Sequence, residues 1–282
     1  MTPLSAVIMT QNEEAFIARC IGSVSWADEV LVIDSGSTDR TREIAASLGA
    51  NVYQQPWLGF SGQRNRGAEL ARHDWIFFLD ADEVVTKELA RSVKTVMRGT
   101  PDARDGYAID RRGDFLGALL PNEARPSKRR TFIRLYNRRY SAYDPEMPVH
   151  EEVRFPGKSV PLEGVLLHWN GLSMDEFVPL FNRYATLEAQ TLHDNGKKAT
   201  ALDIFARPVL RFFWSYLARG GWRLGTRGLM HAMLKAVSDY LRYAKLWELQ
   251  HVTPTPHPPA ELYTPPPVIP VPGTPSGEAE PS

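Results

Sequence analysis

The feature that most constrains this chain is an alternation of short apolar runs with amphipathic segments, running from residue 4 to about residue 98. Leu4–Met9, Glu29–Asp34, Asn51–Gln54 and Trp75–Asp80 are apolar or β-branched and read as strands. Between them, stretches 14–24, 39–48 and 61–72 carry helical periodicity. Ser37-Thr38-Asp39 ahead of Thr41 offers capping oxygens for a helix start, and Gly49 offers a stop. Parallel strands need crossovers, and helical crossovers cover the sheet. The order β-α-β-α with short connections therefore predicts a mostly parallel sheet flanked by helices, an α/β fold.

Beyond residue 105 the pattern changes to strand-like pieces rich in arginine and aromatics, punctuated by prolines as far as residue 170. This predicts mixed β structure with long loops, and long loops in compact domains are frequently binding loops. A helix is expected over 173–195, followed over 199–249 by two helical stretches divided by the glycine-rich segment 220–225. The second places Met230, Met233, Leu234, Val237, Leu241 and Ala244 on one face. From Val252 onward, eleven prolines in 31 residues predict a disordered tail with polyproline character. The expected divisions are thus 1–100, 101–172, 173–251 as a helical appendage, and 252–282.

Charge is balanced, with 33 Lys and Arg against 33 Asp and Glu, which gives no general reason to expect nucleic acid as a partner. Locally it is not: residues 104–139 carry ten Lys and Arg against four Asp and Glu, and residues 199–250 carry eight against three. Such surfaces suit anionic partners. Cys20 is the only cysteine, so a reducing compartment is expected. The first nine residues do not read as a signal peptide, and no apolar run approaches the ~20 residues needed to span a bilayer. A cytoplasmic location follows as an expectation.

In an open α/β sheet, ligands bind at the carboxyl ends of the strands. Polar clusters fall there: Thr10-Gln-Asn-Glu-Glu14 after the first strand, Asp34-Ser-Gly-Ser-Thr-Asp39 after the second, and Asp80-Ala-Asp-Glu83 after the fourth. Any one of them serves equally as a helix cap, but three at three strand ends converge on one crevice. Paired carboxylates where a buried strand meets water suit Mg or Mn, hard cations that take oxygen ligands and leave room for phosphate.

Four stretches carry a resemblance. Val7-Ile-Met-Thr-Gln-Asn-Glu-Glu14, Val32-Ile-Asp-Ser-Gly-Ser-Thr-Asp-Arg-Thr41, Gln63-Arg-Asn-Arg-Gly67 and Phe78-Leu-Asp-Ala-Asp-Glu83 resemble the nucleotide-binding half of family 2 glycosyltransferases with the GT-A fold. Within that family the chain is similar to bacterial lipopolysaccharide-core β-1,4-glucosyltransferases. The resemblance implies an inverting transfer of a hexose, glucose from UDP-glucose, to a lipid-linked oligosaccharide such as the lipopolysaccharide inner core.

Residue by residue, it implies that Asn12 and Glu14 lie by the nucleoside and that Asp34 contacts the base. It places Arg64 and Asn65 towards the nucleotide or its phosphates and Asp80 towards the ribose or sugar. Thr10, Ser35 and Ala81 accompany them, and Asp82 is the principal metal ligand. From its position late in the chain, His168 is implied as a ligand of the metal or diphosphate, against the alternative of a satisfied core histidine. The general base that takes the acceptor's proton is sought in 149–153, with Glu151 first and Asp144 and Glu152 behind it.

Arg207, Arg211, Arg219, Arg223 and Arg227 alternate with Phe205, Phe212, Phe213, Trp214, Tyr216 and Trp222. Basic residues mixed with aromatics suit either an interfacial helix on an anionic membrane or a helical pair packed on the catalytic domain. Arg207, Arg211 and Trp214 are therefore candidates for membrane or acceptor contact. Arg129 and Arg130, in the basic stretch 125–139, are candidates for phosphorylated sugars of the acceptor. The expected partners are a nucleotide-diphosphate sugar, a lipid-linked saccharide and the inner face of the inner membrane, where the enzyme would sit peripherally. Alternatives are the same enzyme acting on an exopolysaccharide or protein acceptor, and a non-catalytic module that binds nucleotide or membrane. A nucleotidyltransferase would instead want a glycine-rich loop after the first strand.

Overall fold

The computed structural model describes residues 1–121, 132–144 and 152–252. The first strands form where the apolar runs predicted them: β1 (Leu4–Thr10), β2 (Glu29–Asp34), β3 (Asn51–Gln54) and β4 (Trp75–Asp80). The crossovers are α1 (Ile17–Val24), α2 (Thr41–Ser47) and α3 (Phe60–Leu70). Helix α1 starts three residues later than its periodicity suggests. Asn12 takes a positive φ of 56°, and the amides of Glu13 and Glu14 are held by Thr41 Oγ1 at 2.8 Å and Asp39 Oδ2 at 3.1 Å. Those cross-loop bonds keep the segment out of helical geometry.

After β4 come β5 (Glu83–Val85), α4 (Lys87–Arg98), β6 (Gly106–Phe115), β7 (Ala118–Leu119), β8 (Ile133–Asn137), β9 (Ala142–Tyr143), β10 (Val153–Arg154) and β11 (Ser159–His168). Among the described residues the main sheet runs β3-β2-β1-β4-β8-β6-β11-β5, with β7 on β6. It is parallel through β3, β2, β1 and β4, then antiparallel at β4–β8 and β8–β6, parallel again at β6–β11 and antiparallel at β11–β5. The change of pattern near residue 105 thus marks a change of strand direction within one sheet. β9 and β10 form a separate ribbon.

Each face of the sheet has its own apolar cluster. One gathers Ile8, Ile17, Phe77, Leu79, Leu89 and Val93 beneath α1 and α4. The other gathers Val7, Ile33, Ala68, Phe78 and Tyr136 beneath α3. Helix α3 comes close because Gly67 faces the sheet; a Cβ there would stand 2.8 Å from Val7 and 3.2 Å from Ile33.

The helical appendage comprises α5 (Met174–Asp194), α6 (Ala201–Phe213) and α7 (Thr226–His251). α5 opens on a capping box between Ser173 and Glu176, and α6 opens on one between Thr200 and Asp203. A π-helical turn at Trp214–Ala218 and a 3-10 turn at Gly221–Leu224 reverse the chain before α7. Phe177 and Leu234 pack on Phe115 at the end of β6, which ties the appendage to the sheet.

The face predicted for α7 is only half used. Leu234 is buried, whereas Met233 and Val237 are exposed. The buried side is instead lined by small and polar residues, including Gly228, His231, Ala232, Ala236 and Asp239. Small side chains let neighbouring helices approach, and Asp239 accepts from Arg211 at 3.0 Å and Arg242 at 3.1 Å. Most of the predicted tail, 253–282, lies outside the described residues.

Gly67→Ala should lower stability by about 1–3 kcal/mol through overpacking. Gly22→Ala, in a helix with open space around the glycine, should be neutral or slightly stabilising. Urea midpoints of the two variants check this; equal effects would contradict the close approach of α3.

Candidate active site

The carboxyl ends of β1, β2 and β4 carry the three polar clusters to one edge of the sheet, and two of the loops are stapled together. Asn12 Oδ1 accepts the Thr38 amide at 2.8 Å, Ser37 Oγ accepts the Asn12 amide at 2.9 Å, and Glu14 Oε2 accepts the Arg40 amide at 3.0 Å. Asn12 and Glu14 therefore build the rim of the crevice. Thr10 lies at the end of β1 with its hydroxyl buried and, among the described residues, without a hydrogen-bond partner.

Asp34 and Asn65, implied at the base and at the nucleotide, each have hydrogen-bond partners within the chain. Asp34 is fully buried, and its carboxylate accepts from the amides of Gly36 at 3.2 Å and Ser37 at 3.1 Å and from the Ser37 hydroxyl. It closes its own turn, the usual use of an aspartate two residues before a glycine-containing bend. Ser35, beside it, accepts from Gln63 Nε2 at 3.0 Å. Asn65 clamps the backbone of Tyr143, donating to its carbonyl and accepting from its amide at 2.9 Å each. Its amide joins α3 to β9, where the resemblance implied the nucleotide.

At the end of β4 a buried charge network forms. Asp80 accepts from Arg64 at 3.2 Å and from Arg134 at 2.9 Å. Glu83, with no exposure, accepts from Arg111, from Arg134 at 3.2 Å and from the Asp80 amide at 3.0 Å. Arg64 also lies over the rings of Tyr143 at 5.0 Å and Phe78 at 5.4 Å. Burial alone would raise the Asp80 carboxyl, but Arg134, Arg64 and Arg111 outweigh it and hold it well below the usual carboxylate range. Burial likewise works against the Arg134 cation, and Asp80 and Glu83 more than compensate. Arg64 and Asp80, expected at the phosphates and the sugar, are thus each other's partners. Ala81 between them and Asp82 is buried.

Asp82 points the other way. Its Oδ2 lies 2.7 Å from His168 Nε2. The juxtaposition is a product of register: β5 pairs antiparallel with the end of β11, Glu83 opposite His168, and the Trp169 amide reaches the Asp82 carbonyl at 3.4 Å. Gly113 of β6 flanks His168 from the other side. Glu13 faces the same pair. Burial, then the charges of Asp82 and Asp39, push its carboxyl up to about 7, with His168 and Arg19 pulling the other way. Arg19 in turn donates to the Trp169 carbonyl.

A carboxylate and an imidazole converging at the rim fit a divalent cation. Among the described residues no group of three or more His, Cys, Asp or Glu is placed to hold a metal, so Asp82 and His168 would need oxygens from the ligand or water to complete a shell.

For the proton acceptor, Glu151 lies outside the described residues, as do Arg129 and Arg130. Asp144 is buried and paired with Arg154, and Glu152 is exposed beside it, its carbonyl accepting the Asp144 amide at 3.2 Å. Sequence reading left out Glu13, Glu83, Arg111 and Arg134. Arg134 carried a signal, as the one charge in the otherwise buried strand Ile133-Arg-Leu-Tyr-Asn137. Glu13 lay within the polar cluster after the first strand, but its direction is set by the Asn12 bend.

An α/β sheet binds its ligands at the carboxyl ends of its strands, the edge where this acidic and imidazole rim lies. Residues 5–145 match the family described as Glycosyl transferase family 2. An uncharacterized glycosyltransferase of Rickettsia bellii is 34% identical over 259 residues, covering 87% of this chain and 86% of that protein. The lipopolysaccharide core biosynthesis glycosyltransferase LpsC of Rhizobium meliloti is 32% identical over 253 residues, covering 87% and 92%. A crystal structure of glucosyl-3-phosphoglycerate synthase from Mycobacterium tuberculosis with Mn2+, UDP and glucosyl-3-phosphoglycerate aligns at 26% identity and a TM-score of 0.35, covering 39% of this chain. The chain spans 44% of that protein's length. The chain belongs to glycosyl transferase family 2. Its sheet, parallel over β3-β2-β1-β4 and mixed beyond, is the GT-A arrangement, here with a C-terminal helical appendage.

Glu83→Ala should lower unfolding stability by up to about 3–5 kcal/mol, since it removes one of the two carboxylates that hold the buried Arg134 cation and the partner of Arg111; a urea midpoint close to wild type would contradict the network. For Glu13 the folded state favours the protonated form. Between the ordinary value of 4.5 and about 7 the native chain therefore binds a proton that the unfolded chain releases, and stability falls as pH rises through that window. In metal-free protein, Glu13→Gln should flatten the fall in Tm across those pH values, and parallel curves would refute the assignment.

Proposed function

We propose that the protein is an inverting, metal-dependent hexosyltransferase that moves glucose from UDP-glucose to a lipid-linked oligosaccharide of the lipopolysaccharide core type. The observation that carries this reading is the meeting of Asp82 and His168 at the carboxyl edge of the sheet. The 32% identity with LpsC supports the acceptor class.

Asp82 and His168 would hold a Mg or Mn ion, whose chemistry when bound is to neutralise the departing diphosphate. The remaining roles fall to the chain's own side chains. The stapled loops of Asn12 and Glu14 bound the crevice, Thr10 offers its unpartnered hydroxyl, and Arg64 and Arg134 hold Asp80 ionised beneath the donor. Glu151, with Asp144 and Glu152 as the other candidates, takes the proton from the acceptor hydroxyl as that oxygen attacks the anomeric carbon. The glycosyl–phosphate bond breaks and the nucleoside diphosphate leaves. The pairing of Asp144 with Arg154 argues for the glutamates ahead of it. Because the acceptor carries a lipid, the enzyme works as a peripheral protein on the anionic inner face of the inner membrane.

Asp82→Ala should abolish the Mn2+-dependent rise in Tm that UDP produces, and a retained rise would place the metal elsewhere. Glu151→Gln should keep that rise but lose transfer by about 10²–10⁴-fold; full turnover would move the base to Glu152 or Asp144. If no UDP- or GDP-sugar is hydrolysed and no nucleotide shifts Tm, the non-catalytic reading takes over.

A further inference from the structure

Helix α6 exposes the side that a packed helix would bury. None of its thirteen residues is buried. At about 100° per residue, Leu202, Phe205, Val209, Leu210 and Phe213 share one half of the helix, with Ala206 among them and no charged side chain. Leu202 is 71% exposed, Phe205 74% and Leu210 67%. The apolar surface continues through the turn, where Trp214, Leu217 and Trp222 are also exposed. Water-facing apolar surfaces of this extent mark interaction sites.

Charge identifies what covers it. From Asp203 to Asp239 the chain has six Lys and Arg against two acidic residues. Two copies meeting through this face would bring like charges together, whereas an anionic surface would be drawn to it. The helix cations Arg207 and Arg211 lie outside the apolar half. Arg207 lies over Tyr243 and pairs with Asp203 at 2.7 Å, and Arg211 pairs with Asp239. Arg223 lies over Trp222 and Arg227 is exposed at the start of α7. Leu210, Phe213 and Leu217 line an open groove of about 820 Å³ together with Arg207, Arg211 and Asp239. No described helix is long and apolar enough to cross a membrane, so a membrane contact by this face would lie along the surface.

We propose that α6 and the turn after it lie in the headgroup–acyl boundary of an anionic phospholipid bilayer, with Leu202, Phe205 and Phe213 directed into the acyl region and Arg223 and Arg227 at the phosphates. This rests on the peripheral reading above and deepens it. It also revises which residues make the contact. Arg207 and Arg211 belong largely to the fold, and the apolar half of the helix supplies the membrane contact.

The test is cosedimentation of the full chain with vesicles of phosphatidylcholine, with and without phosphatidylglycerol, alongside the UDP and Mn2+ thermal shift and sizing without vesicles. Wild type should bind the phosphatidylglycerol vesicles, less so at high salt. Phe205→Ser with Phe213→Ser should lower partitioning by more than about tenfold while leaving circular dichroism and the UDP shift unchanged. Arg223→Glu with Arg227→Glu should lower binding only to the anionic vesicles. Undiminished binding by the Phe205/Phe213 variant would overturn the assignment of the face and leave the peripheral reading standing. Absence of wild-type binding, with the UDP shift intact, would overturn both and leave the transferase reading untouched. A vesicle-free dimer that the same variant converts to monomer would give the face to a second copy.

Discussion

The buried ion network at the end of β4 is the constraint on which the site depends. Asp80 and Glu83 leave the apolar strand Trp75–Leu79 where it meets the crevice, and neither carboxylate would be tolerated there without cations. Arg64 comes from α3, Arg111 from β6 and Arg134 from β8. Three separate elements are thereby drawn to one turn, and the parallel half of the sheet is locked to the mixed half. Such a network contributes little net stability against an apolar alternative, but removing one member leaves a charge stranded in low dielectric. Its yield is placement: with Asp80 and Glu83 held down, Asp82 between them projects outward to the rim.

That placement gives the motif Asp80-Ala-Asp-Glu83 a division of labour by direction. Asp80 and Glu83, at its two ends, turn into the network, and Asp82 meets His168. The β5–β11 ladder supplies the other half of the meeting, since a slip of one residue would turn His168 to the opposite face of the sheet. Glu13 joins from the bend after β1, so the rim is acidic and half-buried before any ligand arrives. In the proposed function, a divalent cation complements such a rim and the nucleoside diphosphate complements the cation.

The appendage follows a different logic. It is anchored by a small aromatic contact at Phe115 and Phe177 and otherwise packs on itself through short side chains. Gly228 lies against the Gly221 carbonyl so closely that any Cβ there would clash, which fixes the tight turn between α6 and α7. A helix pair built this way has no need of the large apolar side chains on its outer side. Their presence there is what sets the surface of α6 apart from that of an ordinary packed helix.

Much of the fold was legible in the sequence, because period-two and period-3.6 patterns are local. The first four strands and the breaks between the last helices fall where the apolar runs and glycines put them. The gathering of three polar clusters was legible too, since parallel strands bring their carboxyl ends to one edge. Family-level resemblance rested on those same strand-end motifs. The roles of single side chains within them were another matter. Asp34 and Asn65 stand in the motifs as ligand-facing residues, yet their hydrogen bonds go to a turn and to the backbone of Tyr143. Arg134 sits in no motif and is central. A side chain's partner depends on which strands lie together and in what register, and those pairings span 54 residues between Asp80 and Arg134 and 78 between Asn65 and Tyr143. The sequence by itself therefore determined the alternating sheet, its acidic edge and the family. Only the tertiary structure decided which carboxylates face inward to arginine, that Asp82 meets His168, and that α6 leaves its apolar half uncovered, because each is a contact between elements whose relative placement no local pattern encodes.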